Sequence, residues 1–354
     1  MGVHASAQRD SAEAMALAAA SAGDHDAFRQ LTDPYTREIH LHCYRMLGSI
    51  QDAEDGLQET LLRAWRYLAS FERRSSFRAW LYRIATNVCL RQRAHRPTDP
   101  LIVSEAIEAL APTTSQAYNL SPYPDALLDQ VETPLGNPGA EYDLYESVQI
   151  AFLAVVQLLP ARQRAVLILH DVVGFSAAQV AELLDTTVAS VNSALNRART
   201  SMQQHRTAGR LRALRNAPTD QVADWFVERC VEAWRAADMT ELSDLLTADV
   251  VMGIPALGLR LNGRAAVCDF LANVPALDQR KKVRFIATRA NRQPALAVYR
   301  LDADGDIDVY RAWAMVVLTM NASAVAGIAI FPDPSLMPVF GLATRLQCQV
   351  TSDS

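Results

Sequence analysis

The spacing of hydrophobic positions divides the chain into segments of different type. From residue 27 to about 96, apolar residues recur three and four positions apart, as Leu57, Leu61, Leu62, Trp65 and Leu68 do, which predicts a compact helical domain. The same spacing returns from 145 to about 214. Between these segments lie the proline-rich sequences PTDP, APTTS, LSPYPD and TPLGNPG, and prolines interrupt helices. We therefore predict two all-α helical domains joined by a flexible linker.

The pattern changes again after residues 216–218, where Asn-Ala-Pro interrupts the second helical segment. An amphipathic helix is predicted from Asp220 to Ala237. Its apolar side would carry Val222, Trp225, Phe226, Cys230 and Trp234. Beyond it, the runs VRFIATRA, ALAVYRL, IDVYRAWAMVVLTM and AVAGIAIF are rich in β-branched and aromatic residues and are separated by turn signals. A helix followed by a mostly antiparallel sheet predicts an α+β domain.

Within the second helical segment, LPARQRAVLILHDVVGFSAAQVAELLDTTVASVNSALNRAR has the spacing of a helix-turn-helix. One helix is predicted over 160–172, and Gly174 permits the break after it. Ser176 can cap the next helix, which runs through Leu184, and the last helix begins near Val188. The outward face of that helix would carry Ser190, Asn192, Ser193, Asn196, Arg197 and Arg199. These side chains can contact base edges or phosphates in a major groove, whereas the alternative is an ordinary helical hairpin with a polar face.

Composition and charge refine this picture. The 354 residues are 50% hydrophobic and 21% charged, with a net charge of −5, which is typical of a soluble protein of several domains and not of a disordered or membrane protein. Residues 71–96 nevertheless contain seven arginines and one glutamate, and residues 188–215 contain six arginines and no acid. Two basic segments in an acidic chain indicate either two docking points on a polyanion or two solvated arginine-rich faces.

Cysteine spacing and apolar run length argue against other classes of protein. The five cysteines, at positions 43, 89, 230, 268 and 348, form no C-x-x-C pair and have no metal-ligand spacing, so we expect buried free thiols and no metal or cofactor. No apolar run approaches the roughly 18 residues that a membrane span needs. We expect a cytoplasmic protein without a membrane partner.

The helix-turn-helix segment resembles the fourth conserved region of extracytoplasmic-function factors of the sigma-70 family, which reads the promoter −35 element. The N-terminal sequence HCYRMLGSIQDAEDGLQETLLRAWRYLASFERRSSFRAWLYRIATNVCLRQRAHR is similar to the second region of that family, with DAED, QETLLRAW and a W-L-x-x-I-A-x-N run in order. Gly56 departs from the bulkier residue often found after the DAED acids. The resemblance implies a subunit that binds core RNA polymerase, directs it to promoters and helps to open the DNA.

The resemblance also implies roles for particular residues. Docking on the clamp helices of the largest polymerase subunit would use Asp52, Asp55, Gln58, Glu59, Arg63 and Trp65, and the second helical domain would meet the polymerase flap. Recognition and melting of the −10 element would use Ser75, Ser76, Trp80, Arg83, Asn87 and Arg91. Trp80 shares the helical spacing of core residues, so packing is the alternative for it. Recognition of the −35 element would fall to the outward residues of the helix-turn-helix.

The segment from about Asp220 to Leu342 resembles the SnoaL-like branch of the nuclear transport factor 2-like fold, a cone of curved sheet and helices. In sigma factors such an appended domain implies regulation, through a small molecule or an intramolecular contact. Some subgroups carry a glycine-rich DGGGK-type motif after the cone strands, where this chain has FPDPSLMPVFGL. Trp234, Met252, Trp313 and Phe331 would line a pocket, with plain core packing as the alternative.

Enzymatic activity of the cone would need an acid or base in the pocket. Asp249, Asp269 and Tyr310 are conceivable, but we expect no enzyme. The acidic run Asp302, Asp304, Asp306 and Asp308 is typical of an exposed hairpin turn. Two other functions stay open: a ligand-sensing helix-turn-helix regulator that acts without polymerase, and a DNA-binding protein fused to an isomerase-like enzyme. The predicted domains are an N-terminal extension (1–26), region 2 (27–96), the linker (97–144), region 4 (145–215) and the SnoaL-like domain (216–354).

Overall fold

The chain forms two compact units in a computed structural model. The model describes residues 13–71, 75–94, 120–131, 144–207, 220–273, 283–301, 309–321 and 324–347. The helical unit comprises Met1–Arg96, Asp129–Ser147 and Val155–His205. The cone unit comprises Pro97–Leu128, Val148–Ala154 and Arg206–Ser354. Among the described residues, no helix combines the length and the apolar character needed to cross a membrane.

The first part of the helical unit is a packed group of long helices. Its elements are α1 (13–21), α2 (His25–Leu47), α3 (Ile50–Tyr67) and α4 (Phe77–Ala94). Asp24 caps α2 by accepting hydrogen bonds from the backbone of the first turn, and Gly48, with φ of 86°, ends that helix in the left-handed region that favours glycine. Ser49 then caps α3. The predicted helical character of this segment is therefore confirmed over its described residues.

A sulfur-containing contact explains why glycine occupies position 56. Cys43 and Cys89 are fully buried, and a hydrogen bond with Cys43, together with burial, raises the pKa of the Cys89 thiol. A Cβ at Gly56 would lie 3.3 Å from Sγ of Cys43, which is tighter than ordinary van der Waals contact. Helix α3 can therefore approach α2 closely only with a small residue at this position.

Histidine 42 lies in the same core, and its own side chain is neutral there. Its Nε2 is 2.9 Å from Oγ1 of Thr86, and its ring packs edge-on against Tyr82. Burial, with the nearby charges of Arg45 and Arg78, lowers the pKa of His42 to about 3. The core of region 2 therefore contains a histidine whose imidazole stays unprotonated at neutral pH.

The next helices along the chain include the predicted helix-turn-helix, with one difference, and residues 148–154 among them belong to the cone unit. The elements are α6 (Leu144–Val148), α7 (Ile150–Val156), α8 (Ala161–Leu167), α9 (Ala177–Leu183) and α10 (Val188–Thr207). Residues Ile168–Val172, predicted as a continuation of an α-helix, form a π-helix. Gly174 has φ of 84°, and Ser176 forms a capping box with Gln179, so the predicted break and cap are both confirmed.

The cone unit is an α+β fold with a curved mixed sheet. Its helices are α5 (Asp125–Leu128), α11 (Asp220–Ala236), α12 (Met239–Asp244), α13 (Arg264–Asn273) and α14 (Leu336–Val339). Its strands are β1 (Leu246–Ile254), β2 (Leu259–Asn262), β3 (Val283–Ala290), β4 (Gln293–Leu301), β5 (Val309–Met320), β6 (Val325–Phe331) and β7 (Arg345–Gln347). The order is β2-β1-β6-β5-β4-β3, with β7 pairing to β5. Only the β1–β6 pairing is parallel among the described strand pairs.

The apolar side of α11 is narrower than the sequence pattern suggested. Phe226 and Trp234 are buried, whereas Val222 is 40% exposed and Trp225 is 51% exposed. The latter two side chains lie near the start of the helix. The acidic run from Asp302 to Asp308 lies outside the described residues.

The described part of the predicted linker is packed against the cone. Tyr123 and Leu128 are fully buried, and Pro124 forms an antiparallel β-bridge with Ala290 at the end of β3. Prolines in LSPYPD exclude a long helix, as predicted, but they do not prevent an extended segment from pairing with a sheet. Residues 120–128 are therefore an ordered part of the cone unit.

Candidate polymerase and nucleic-acid interface

One face of α3 presents the residues predicted to dock on polymerase. Asp55, Gln58 and Glu59 are exposed or half-exposed and lie three and four residues apart, so they share one stripe of the helix. Asp52 is buried in the first turn, where its backbone N–H donates to the Oγ of Ser49. The stripe is acidic, and it lies on a helix fixed by its packing against α2 and α4.

The other two predicted docking residues support this stripe from its side. Arg63 donates from Nε to Oε1 of Glu59 at 2.5 Å, which holds the carboxylate one helical turn away. Trp65 stacks on His25 with ring centroids 4.3 Å apart and meets the edge of Phe28. Trp65 therefore tethers the end of α3 to the start of α2, and its side chain is partly buried.

Leucine 62 is a residue that the sequence pattern misassigned. Its apolar character placed it with the helical core, but the side chain is 62% exposed, whereas Leu57 is 6% exposed. Leu62 continues the stripe of Asp55, Gln58 and Glu59 by one more turn. An exposed leucine at the end of an acidic stripe leaves apolar surface open to solvent, and only the tertiary packing distinguishes it from its buried neighbours.

Four of the predicted −10 residues line one cavity of about 780 Å³. They are Ser75, Trp80, Arg83 and Asn87, and they share the wall with Tyr67, Ser70 and Phe71. The rings of Phe71 and Trp80 are 5.1 Å apart, so one side of the cavity is aromatic and the other is polar. This combination can stack on a base and hydrogen-bond its edge.

The remaining −10 residues lie elsewhere on α4. Ser76 caps the helix, because its Oγ accepts from the backbone N–H of Ala79 at 3.2 Å. Arg91 is exposed near the far end of the helix. Phe77 is fully buried, so of the two aromatic residues in this helical spacing only Trp80 reaches the cavity.

The opposite wall of the same cavity comes from the helix-turn-helix, through Ala181, Glu182, Asp185 and Thr186. Asp185 occupies the turn between α9 and α10 with φ of 47°. Nη2 of Arg83 donates to both of its carboxylate oxygens, at 2.7 and 2.8 Å. A carboxylate of region 4 thus forms an ion pair with an arginine that was predicted to contact the −10 element.

The outward face of α10 presents all six of its predicted residues to solvent. Ser190, Asn192, Ser193, Asn196, Arg197 and Arg199 are exposed, while Val191 and Leu195 are buried beneath them. At the start of the helix, Oγ1 of Thr187 donates a hydrogen bond to Oγ of Ser190 at 3.1 Å. The exposed amides, hydroxyls and guanidinium suit contact with base edges and phosphates.

Arginine 199 is bound within the fold. It donates from Nε and Nη2 to the two oxygens of Asp171, at 2.9 and 2.6 Å. Asp171 is completely buried in the π-helix and also contacts Nδ1 of His170 at 2.7 Å. A bidentate pair with a buried carboxylate fixes the guanidinium. Arg199 therefore joins α10 to the π-helix. The contact orients the helix-turn-helix, and the DNA contact predicted for Arg199 stays a prediction.

Arginine 164 is a structural residue that the sequence reasoning missed. Its side chain is 1% exposed and donates to the carbonyl oxygens of Met46, Val156, Gln157 and Leu159 at 2.7–3.0 Å. A fifth bond reaches Oε1 of Gln157. The guanidinium thus joins the end of α2 to the turn before α8. Nothing in the helix sequence ARQRAVL distinguishes the buried Arg164 from the exposed Arg162.

The residues predicted to form a pocket in the cone separate into two groups. Trp234 and Trp313 line an apolar cavity of about 110 Å³. Met252 is fully buried in the core, and Phe331 is also buried, and neither is among the residues around that cavity. Of the conceivable acids and bases, Asp249 and Asp269 are exposed, and Tyr310 packs beneath Arg284.

Comparisons with known proteins agree with this architecture. Three family models match the chain: Sigma-70 region 2 over residues 31–96, Sigma-70, region 4 over residues 149–202, and SnoaL-like domain over residues 227–328. The ECF RNA polymerase sigma factor SigG of Mycobacterium tuberculosis (strain CDC 1551 / Oshkosh) is 36% identical over 326 residues, which are 90% of this chain and 85% of SigG. Both resemblances found in the sequence are thereby confirmed.

Two further relatives mark how far the similarity extends. The ECF RNA polymerase sigma factor SigW of Bacillus subtilis (strain 168) is 29% identical over 182 residues, which are 51% of this chain and 90% of SigW. The crystal structure of the Mycobacterium tuberculosis extracytoplasmic function sigma factor SigJ has the same fold, with a TM-score of 0.56 and 22% identity over 87% of this chain and 97% of SigJ. The chain therefore belongs to the extracytoplasmic-function RNA polymerase sigma factors, the subunits that bind core polymerase and direct it to promoters, and carries a fused SnoaL-like domain.

Proposed function

We propose that this sigma factor holds its promoter with two surfaces of the helical unit and that the cone controls the factor through the segment between regions 2 and 4. The cavity on α4 would receive unstacked bases of the −10 element, and the outward face of α10 would contact the −35 element. A factor of this kind acts where polymerase and chromosome are, in the cytoplasm.

The acidic stripe of α3 would dock on the clamp helices of the largest polymerase subunit. Asp55 and Glu59 would steer the encounter with a basic surface and set its register. Leu62 would supply apolar contact at the end of the stripe. Region 4 would meet the flap, as the resemblance implies.

DNA opening would follow from capture of unstacked bases at the cavity of Trp80 and Asn87. Stacking on an aromatic ring contributes about 1 to 3 kcal/mol per base, which offsets an unpairing cost of a few kcal/mol. Arg83 would hold the adjacent phosphate after it leaves Asp185. The strand separation needs no nucleotide hydrolysis, because binding energy drives it.

Control by the cone rests on the tip of the β3–β4 hairpin. Asn291 and Arg292 form its two-residue turn with φ of 58° and 59°, the left-handed pair that a type I′ turn requires. Oδ1 of Asn291 accepts from the backbone N–H of Tyr123 at 2.8 Å, and its Nδ2 donates to the carbonyl of Val148 at 2.7 Å. One buried side chain thus binds the linker before region 4 and the chain that enters region 4.

Neighbouring contacts extend this latch, which consists of residues 291–293 and the two segments they bind. The backbone N–H of Arg292 donates to Oδ1 of Asp125 at 2.7 Å. Oε1 of Gln293 accepts from the backbone N–H of Ile150 at 3.3 Å. The latch fixes two described segments of the chain, at 123–125 and 148–150, to the cone, and this is the single observation that carries the regulatory proposal.

We propose that the cone acts without catalysis. The cavity of Trp234 and Trp313 has no carboxylate, imidazole or amide among its described lining residues. General acid–base chemistry would need such a group within hydrogen-bond reach of a substrate. A binding role fits this lining better than an isomerase role.

The test of the latch uses Asn291→Gly in the full-length protein. Glycine keeps the left-handed turn but removes both side-chain hydrogen bonds, each worth about 1 kcal/mol net. We expect transcription from a promoter selected by genomic binding, measured with the cognate core polymerase, to change by roughly tenfold, because about 1.4 kcal/mol corresponds to a factor of ten.

The matched control is Arg292→Gly, which relieves a left-handed arginine and keeps the backbone donor to Asp125. This variant should transcribe as the wild type does. Equal transcription by Asn291→Gly and wild type would refute regulation through the latch. Failure of the wild-type chain to support transcription with its core would refute the promoter-directing role itself.

A further inference from the structure

The interior of the cone contains a cavity whose surface is wholly apolar. Its volume is about 110 Å³, and its wall is formed by α11, α12, α13 and strands β1 and β3–β6. Trp234 and Cys230 face it from the helix, and Phe285, Leu296, Trp313 and Val316 face it from the sheet. The described lining residues include no charged, amide or hydroxyl side chain.

Strand register explains how the sheet presents this surface. Phe285 pairs with Val298, and Leu296 pairs with Val316, so alternate residues of adjacent strands share one face. The pairing shifts between Val298 and Tyr299, which leaves Trp313 as an extra residue on β5. Such a bulge redirects a side chain, and here it brings the indole of Trp313 to the cavity.

The cavity is not a closed packing defect. Phe285, Trp313 and Val316 are only partly buried although they pack against the core of the cone. Water in such a space would find too few hydrogen-bond partners, whereas apolar cavities of about 150 Å³ in other proteins stay dry and bind benzene or xenon. An uncharged apolar molecule is the occupant that this wall can stabilise.

We propose that this cavity is a binding site for one neutral apolar molecule of the size of a single aromatic ring. Its volume limits the occupant to about that size, and its wall offers flat indole and phenyl surfaces. An ionised ligand would lose its hydration without gaining a partner. Burial also raises the pKa of the Cys230 thiol to about 12, so the wall stays uncharged at neutral pH.

The same hairpin forms part of the cavity wall and carries the latch. Phe285 lies on β3 and Leu296 on β4, and the turn between these strands is Asn291–Arg292. Filling the cavity would restrict the hairpin that holds Tyr123 and Val148. The binding step is independent of the proposed function, whereas this route to transcription rests on it.

The binding test uses three probes of similar size with the full-length protein: toluene, phenol and benzoate. Binding is measured by ligand-observed NMR titration. We expect saturable binding of one toluene per chain, binding of phenol roughly tenfold weaker because its hydroxyl would be buried without a partner, and no saturable binding of benzoate. Equal binding of all three probes, or none of toluene, would overturn the proposal.

Two variants locate the site, and a third controls for the substitution. Val316→Phe fills the cavity and should abolish toluene binding, whereas Val339→Phe, at a position 41% exposed on α14, should bind as the wild type does. Phe285→Ala enlarges the cavity and should admit naphthalene, which the wild type should exclude. Unchanged toluene binding by Val316→Phe would sink the assignment even if Phe285→Ala failed to fold.

The route to the latch has its own readout. The backbone N–H of Asn291 donates to the carbonyl of Tyr123 at 2.9 Å, so saturating toluene should slow hydrogen exchange at this amide. Slowed exchange supports coupling between cavity and latch. Unchanged exchange together with saturable toluene binding overturns the coupling and leaves the binding site, and the proposed promoter function, standing.

Discussion

At the scale of single residues, exposure separates positions that share one sequence pattern. Leu57 and Leu62 both follow the helical hydrophobic spacing of α3, yet only Leu57 is buried. Large apolar side chains in the open are common singly, but Leu62 continues a stripe of acidic and amide side chains that faces away from the core. Its position therefore predicts a contact with polymerase and not a contribution to folding.

Leu62→Ala should weaken binding to core polymerase by roughly tenfold, because each buried CH₂ contributes about 0.8 kcal/mol. The free energy of unfolding should change by less than about 0.5 kcal/mol. Fluorescence anisotropy with labelled factor and urea unfolding measure the two quantities. The control Leu57→Ala should lower the free energy of unfolding by about 2 to 5 kcal/mol. Loss of stability in Leu62→Ala, with affinity unchanged, would contradict this assignment.

His42 predicts a pH dependence of stability. Its folded pKa of about 3 lies below its ordinary value of 6.5, so the unfolded chain binds a proton that the folded chain excludes. Stability therefore falls as pH decreases from about 6.5 toward 3, by at most about 1.4 kcal/mol per pH unit from this residue. Urea unfolding at pH 7 and pH 5 measures the change.

His42→Gln keeps a polar partner for Thr86 but removes the titration. The variant should lose less stability between pH 7 and pH 5 than the wild type does, whatever its stability at pH 7. Equal losses in both proteins would assign the pH dependence to other groups, such as His40, whose pKa burial also lowers.

Residue patterns predicted the surface of α10 well and its anchoring less well. Ser190, Asn192 and Arg197 follow from helical periodicity alone, because Val191 and Leu195 define the buried side. Arg199 lies on the same helix, but its partner Asp171 is 28 residues earlier in the chain. No local pattern predicts an ion pair across that distance, and for the same reason Arg164 was missed.

At the scale of elements, the turn of the helix-turn-helix faces the −10 cavity. The side chains of Arg83 and Asp185 are 42% and 70% exposed, and exposed ion pairs contribute only about 0.2 to 1 kcal/mol. The contact is therefore weak enough for a DNA phosphate to displace. Under the proposed function, Arg83 would pair with Asp185 in the free factor and with a DNA phosphate in the bound factor.

Asp185→Asn should raise the affinity of the free factor for single-stranded −10 DNA by up to roughly fivefold, since about 1 kcal/mol of competition is removed. Asp244→Asn, an equal charge change on α12, should leave that affinity unchanged. Anisotropy of a labelled oligonucleotide measures both. An unchanged or lower affinity in Asp185→Asn would show that Asp185 does not compete with DNA.

The sequence predicted the ends of helices and strands correctly where capping residues, glycines or β-branched runs marked them. Gly174 and the Ser176–Gln179 capping box placed the start of α9, and the β-branched runs placed β3 to β6. The π-helix at Ile168–Val172 has no such signal, because its i→i+5 hydrogen bonds leave the sequence period almost unchanged. The sequence did not predict strands β1 and β2. Their segment, TADVVMGIPALGLRLNG, follows the helices of the cone and lacks a long alternating pattern of apolar and polar residues.

At the scale of the whole molecule, sequence order and folding units differ. The chain order of region 2, linker, region 4 and cone follows from composition and motif order. Contacts nevertheless group the described residues 120–128 and 148–154 with the cone and not with the sigma regions that flank them. The prolines that predicted a flexible linker could not show this, because the partner of Tyr123 is Asn291, 168 residues later.

The hairpin turn has a consequence for how such domains could be exchanged between proteins. An arginine with φ of 59° and a fully buried asparagine are unfavourable in an isolated hairpin tip and become favourable when LSPYPD lies against them. A cone transplanted alone onto another sigma factor would keep the Asn291–Arg292 turn but lack the LSPYPD segment that the turn binds. Any recombination that preserves the module must carry two separated stretches of sequence, so the linker and the cone are expected to be inherited together.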